Sequence, residues 1–165
     1  MTDTIMVGVD GKPEHRAALR WAAERAVREG ARLELVFVID RSWGDAAEGP
    51  GTLLIVAAKS ILASAEESAL RFAEQAPARA PAMSGRQAGS GPRPPLAVST
   101  RYLYGHVGAE LAWASRDADL LVVGARSGTD REHGFTGSLH VRVAATAACS
   151  VAAATAALTS GRARR

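Results

Sequence analysis

The stretch Thr4-Ile-Met-Val-Gly-Val-Asp10-Gly-Lys-Pro13, read together with residues 14–39, decides the fold. Thr4 to Asp10 is a short run of β-branched and apolar residues ended by turn chemistry at Asp10-Gly11 and Pro13, which predicts a buried strand. From Glu14 the apolar residues Leu19, Ala22, Ala23, Ala26 and Val27 recur at helical spacing, and Gly30 supplies a stop, so a helix is predicted over about 14–29. Ala31 to Ile39 alternates at first and then becomes continuously apolar, as a strand buried on both faces does. Strand, helix and strand within about forty residues form a βαβ unit, whose strands are parallel and whose crossover is right-handed. The class is therefore α/β.

Outward from that unit, the same logic assigns the rest. A second helix carries Leu54, Ala58, Ile61, Leu62, Ala65, Ala69, Phe72, Ala73 and Ala76 on one face, with Thr52 as its expected cap. Residues 77–95 collect Pro, Gly, Ser and Ala without a period and read as a flexible surface loop. Leu96 to Leu103 is a third strand, Val107, Leu111 and Ala114 stripe a third helix ending near Arg116, and Leu120-Leu-Val-Val123 is a fourth strand. A last helix is expected over about 138–148, followed by a fifth strand at 150–155. The alanine content there equally fits one longer helix through Leu158.

Composition bounds the function. At 165 residues the chain has the size of one domain with a full core, and 47% hydrophobic against 22% charged residues is ordinary for a globular protein. The net charge of +3 arises from 20 basic and 17 acidic residues spread along the chain, so no nucleic-acid partner is implied, and the basic tail 159–165 reads as solvated. Residues 143–161 carry no charge, but Ala, Thr and Ser give too little hydrophobicity for a membrane span. The single cysteine, Cys149, excludes an internal disulfide and reads as a small hydrophobe in an alanine-rich stretch. A cytoplasmic protein is expected.

In an open parallel sheet, ligands bind beyond the carboxyl ends of the strands, where the strand order reverses. That rule selects Asp10, Val38 with Ile39, and Gly124 with its following loop. Glycine at Gly124 lets backbone approach a ligand, and a helix opening at Gly137-Ser138 presents free amides to an anion, to which Arg126 could add a charge-assisted contact. Glycines also end strands simply because turns need them, so these residues alone leave phosphate binding and an ordinary turn equally open. His15, His106, His133 and His140 show no metal-ligand spacing and read as scattered surface or loop residues. A Walker A loop and a nucleophile elbow are absent, and no catalytic set is apparent.

The element order, Val7-Gly-Val-Asp10-Gly11, Trp21-Ala in the first helix and Ala118-Asp-Leu-Leu-Val-Val-Gly124 together resemble the universal stress protein family over nearly the whole chain, about 1–158. The resemblance implies a Rossmann-like, adenine nucleotide alpha hydrolase-like domain with five parallel strands in the order 3-2-1-4-5 and helices on both faces. Nucleotide-binding members carry a loop of the form G-x2-G-x9-G-(S/T). Here it reads Gly124-Ala-Arg126-Ser127, nine residues, Gly137-Ser138, with Ser127 at the middle glycine and Gly128 beside it. The resemblance implies ATP or ADP, with Mg2+ through the phosphates. Asp10 and the backbone at Val38 would lie by adenine and ribose, Gly124 by ribose, and Gly137 with Ser138 by the phosphates. Asp130 and Glu132 add negative charge near the phosphate end, His140 stands where a hydroxyl residue is usual, and Ser150 replaces a common proline. The family further implies a homodimer, an unknown protein partner, and a regulatory role under stress with hydrolysis at most slow. A nucleotide-independent dimeric adaptor is the alternative.

Overall fold

The computed structural model describes residues 3–43, 49–76, 95–124 and 139–154. In chain order they form β1 (Thr4–Val9), α1 (Pro13–Glu29), β2 (Arg32–Asp40), α2 (Thr52–Gln75), β3 (Val98–Gly105), α3 (Val107–Ala114), β4 (Leu120–Gly124), α4 (Leu139–Thr146) and β5 (Ser150–Ala154), with single 3-10 turns at Arg41–Trp43 and Ser115–Asp117. The strands make one parallel sheet in the order β3-β2-β1-β4-β5, the expected one.

The sheet separates two cores. On one face Ile5, Val7, Leu33, Leu35 and Ile39 meet the alanine-rich stripes of α1 and α2: Ala18, Ala22, Ala23 and Ala26 from the first, Ala58, Ala65 and Ala69 from the second. Alanine leaves little side-chain bulk, so these helices pack close to the sheet and to each other. On the other face Met6, Val36, Val38, Leu121 and Val123 meet Leu111 and Ala114 of α3 and Val143 of α4. Each crossover from β1 through β3 therefore lies on one face, and each from β3 through β5 on the other.

Several expectations shift by a turn. The N-cap of α2 is Gly51 rather than Thr52, because Thr52 already has helical geometry and no side-chain cap bond forms. β3 starts and ends two residues later than expected, since its register is set by pairing Leu33 through Asp40 with Val98 through Gly105. Residues 150–154 are a strand and not a helix, because Ser150 through Ala154 pair along β4 from Leu120 to Gly124, and tertiary pairing overrides alanine propensity. The expected loop at 77–95 and the tail at 159–165 lie outside the described residues, apart from Pro95.

Two polar contacts lock the α3–β4 corner. Ser115 is fully buried; its hydroxyl donates to the Ala112 carbonyl at 2.6 Å and accepts from the Ala148 amide at 2.8 Å, joining α3 to the turn before β5. Burial pushes the neighbouring Cys149 thiol above its usual value, against hydrogen bonds that favour the thiolate, which fits a packing role. Asp119 ties the start of β4 to the start of β1: its carboxylate accepts the Thr4 amide at 2.8 Å and its own amide donates to the Thr4 carbonyl at 3.0 Å. Asp119→Ala, which removes only the first bond, is expected to lower the unfolding free energy by about 1 kcal/mol in urea titration, with an unchanged m-value. An unaltered midpoint would show that this clamp contributes nothing.

Candidate functional site

β1 delivers Asp10 to the carboxyl end of the sheet, where the chain must turn sharply into α1. Asp10 makes that turn itself, its Oδ1 accepting the Lys12 amide two residues on at 3.0 Å. Gly11 between them has φ +76°, a conformation that favours glycine, and a Cβ there would also crowd Ile61 Cδ1 at 3.3 Å. Pro13 then opens α1 with its preset φ. The third helical residue, His15, places Nδ1 3.4 Å from Asp10 Oδ1; the His15 side chain is 14% exposed and the Asp10 side chain 55%. Burial pushes the Asp10 carboxyl up, but the His15 ring beside it and the hydrogen bond of the Lys12 amide, with the charges of both residues, outweigh it and hold the group below its ordinary value.

β2 ends in the same way. Asp40 Oδ1 accepts the Ser42 amide at 2.9 Å, and the Ser42 backbone and hydroxyl hold the Asp40 carboxyl below its ordinary value. Beyond it Trp43 leans on Phe37, with ring centroids 6.4 Å apart at 45°, and stays half exposed. Val38 points into the core shared with α3 and α4 and is only 6% exposed, so what this position offers a ligand is its backbone.

At this end of the sheet the pairing of the two central strands is the first to stop. β1 is paired with β2 as far as Val9 opposite Phe37, and β4 with β5 as far as Gly124 opposite Ala154. β1 and β4 themselves are paired only from Ile5–Leu120 to Val7–Val122. This end of the β1–β4 pair is also where the strand order reverses, the place where doubly wound sheets accept ligands. Asp10, the Val38 backbone and Gly124 thus lie at the same end of the sheet, on or directly after three neighbouring strands. Arg126, Ser127, Gly128, Gly137 and Ser138, together with Asp130 and Glu132, lie outside the described residues, and α4 is described from Leu139, directly after Gly137-Ser138.

Two titratable residues of this end escaped the reading of the sequence. His15 is not a loose surface histidine: it is largely buried against Asp10. The signal for it is Asp10-Gly-Lys-Pro13, a turn tight enough to fold the third helical residue back on the strand's last carboxylate. Asp40 is the other, signalled by an Asp-Arg-Ser turn at a strand end. Among the described residues no three His, Cys, Asp or Glu side chains converge as a metal site would require. A groove of about 300 Å³ between α2 and β3, lined by Lys59, Leu62, Glu66 and Tyr102, lies on the outer edge of the sheet, away from the ends of β1 and β4. Among the described residues no helix is long and apolar enough to cross a membrane.

Comparison with known proteins agrees with this architecture. The model of the universal stress protein family matches residues 1–154. A universal stress protein of Mycobacterium tuberculosis H37Rv is 32% identical over 149 residues, 90% of this chain and 47% of that protein, so the chain spans about half the length of the curated relatives it matches. Among solved structures, a universal stress protein in complex with cAMP superposes with a TM-score of 0.66 at 18% identity, covering 93% of this chain and 97% of the other. The universal stress protein from Archaeoglobus fulgidus in complex with dAMP gives 0.61 at 20% identity, covering 93% and 98%. At these identities the structures show a shared fold, while the family match spans every described element: the chain belongs to the universal stress protein family.

Proposed function

We propose that this protein is a regulatory nucleotide-binding member of its family, taking ATP or ADP in the crevice at the carboxyl ends of β1 and β4. The observation that carries the reading is a half-exposed Asp10, its carboxyl held below its ordinary value, at the end of β1 where the pairing with β4 stops and the strand order reverses. An ionised acceptor suits the hydroxyl and amino donors of a nucleoside, and the Val38 backbone and Gly124 bring amide groups to the same crevice. The complexes of related folds with cAMP and dAMP support an adenine nucleotide as the ligand class. Gly137-Ser138, directly before α4, would receive the phosphates, Arg126 would add a counter-charge, and Mg2+ would be carried by the phosphates. Nucleotide occupancy would then alter contacts with a protein partner under stress, in the cytoplasm, with hydrolysis slow and incidental.

A second reading has its own support. Ser127 stands where the phosphate loop of binding members has glycine, Asp130 and Glu132 add like charge, and the outer edge of β5 has no strand partner among the described residues and no charged side chain to blunt it. Those features suit a nucleotide-independent dimeric adaptor.

Thermal unfolding separates the two. Mg-ATP at about 100 times its dissociation constant stabilises by about 2.7 kcal/mol, a rise of roughly 5–10 °C for a chain of this length. The binding reading predicts that rise in the wild type and a larger one in Ser127→Gly. No rise in either protein would leave the adaptor reading. A rise in Ser127→Gly alone would identify Ser127 as the residue that disables the site.

A further inference from the structure

Asp10 carries two loads on one oxygen. Oδ1 accepts the Lys12 amide at 3.0 Å and faces His15 Nδ1 at 3.4 Å, while no contact of Oδ2 is recorded among the described residues. His15 Nδ1 is itself buried and lacks a well-formed hydrogen bond, its nearest recorded partner being that same Oδ1. A buried ring nitrogen without a proper partner is costly, so His15 has a direct energetic reason to hold the carboxylate where it is. The turn itself is shaped by Gly11 in the left-handed region and by Pro13, which has no amide to offer the carboxylate.

We propose that His15 is a positioning residue for the nucleotide crevice: it anchors the Asp10 carboxylate through Oδ1, so that Oδ2 is presented to a hydroxyl or amino donor of an adenine nucleoside. The inference rests on the functional reading above and adds the residue that sets the geometry of its acceptor. It also gives the mostly buried His15 a role in the crevice that ordinary core packing would not require, since an apolar residue would fill the same space.

The charged groups recorded as acting on Asp10 are His15, from α1, and Lys12, from its cap. A carboxyl held below its ordinary value keeps its full effect above the usual carboxylate range and loses it only as pH falls through the lowered value. Removing His15 takes away one of the influences that lower it, so the loss should move to higher pH. Two variants test this: His15→Leu, which fills the space without a donor, and His15→Asn, whose amide nitrogen can stand near the place of Nδ1.

Calorimetric titration with Mg-ATP and with adenosine should show about tenfold weaker binding of both to His15→Leu, because the effect lies on the nucleoside and not on the phosphates, with affinity restored to within about threefold in His15→Asn. In ligand-free protein, the Asp10 carboxyl followed by 13C NMR should titrate at higher pH in His15→Leu than in the wild type. Wild-type affinity in His15→Leu together with an unmoved Asp10 titration would overturn the proposal. A wild-type protein that binds neither ligand would overturn the functional reading instead, and the carboxyl titration would still decide whether His15 governs Asp10.

Discussion

The two central strands, β1 and β4, are fastened at one end and unpaired at the other, and the proposed ligand site depends on that difference. At the amino end the reciprocal bonds between Asp119 and Thr4 close the pair. At the carboxyl end the ladder stops at Val7 and Val122 although both strands continue. The helices that follow β1 and β4, α1 and α4, leave for opposite faces of the sheet, the arrangement in which doubly wound folds accept ligands.

Keeping those strand ends in place requires stiff surroundings. The helices on the β1–β2 side are faced with alanine and fit closely, and the opposite side is closed by fewer but larger residues, with buried Ser115 bonding α3 to the turn before β5. The strand ends themselves are shaped by local hydrogen bonds: Asp10 and Asp40 each turn the chain by accepting an amide two residues ahead. Rigid strands therefore present carboxylates and backbone at fixed places, the arrangement that lets a site act with little reorganisation. Asp10 serves both purposes at once, as a turn former through one oxygen and an available acceptor through the other.

Much of this was legible in the sequence because it depends on patterns with strong physical causes. Continuous apolar runs at Thr4–Val9 and Leu120–Val123, and amphipathic helical stripes between the strands, specify a parallel sheet, and the family resemblance implied its strand order. Asp10, Val38 and Gly124 followed from the rule that ligands gather at strand ends. What the residues could not announce depends on three-dimensional partners. The strand at Ser150–Ala154 forms from alanines that favour helix, and only the neighbouring β4 decides it. His15 resembles any other histidine until the turn at Gly11 folds it against Asp10, and Asp119 reads as a loop residue until Thr4 is placed beside it.

The location of the nucleotide is the claim on which the account stands. It is tested most directly by adding Mg-ATP to 15N-labelled protein and following every backbone amide. The account predicts that the largest shifts fall on Gly8 to Lys12, Val38 to Asp40 and Gly124, with Thr4 and Asp119 at the fastened end almost unmoved. Shifts centred instead on Lys59, Glu66 and Tyr102 in the groove at the sheet's outer edge would contradict it.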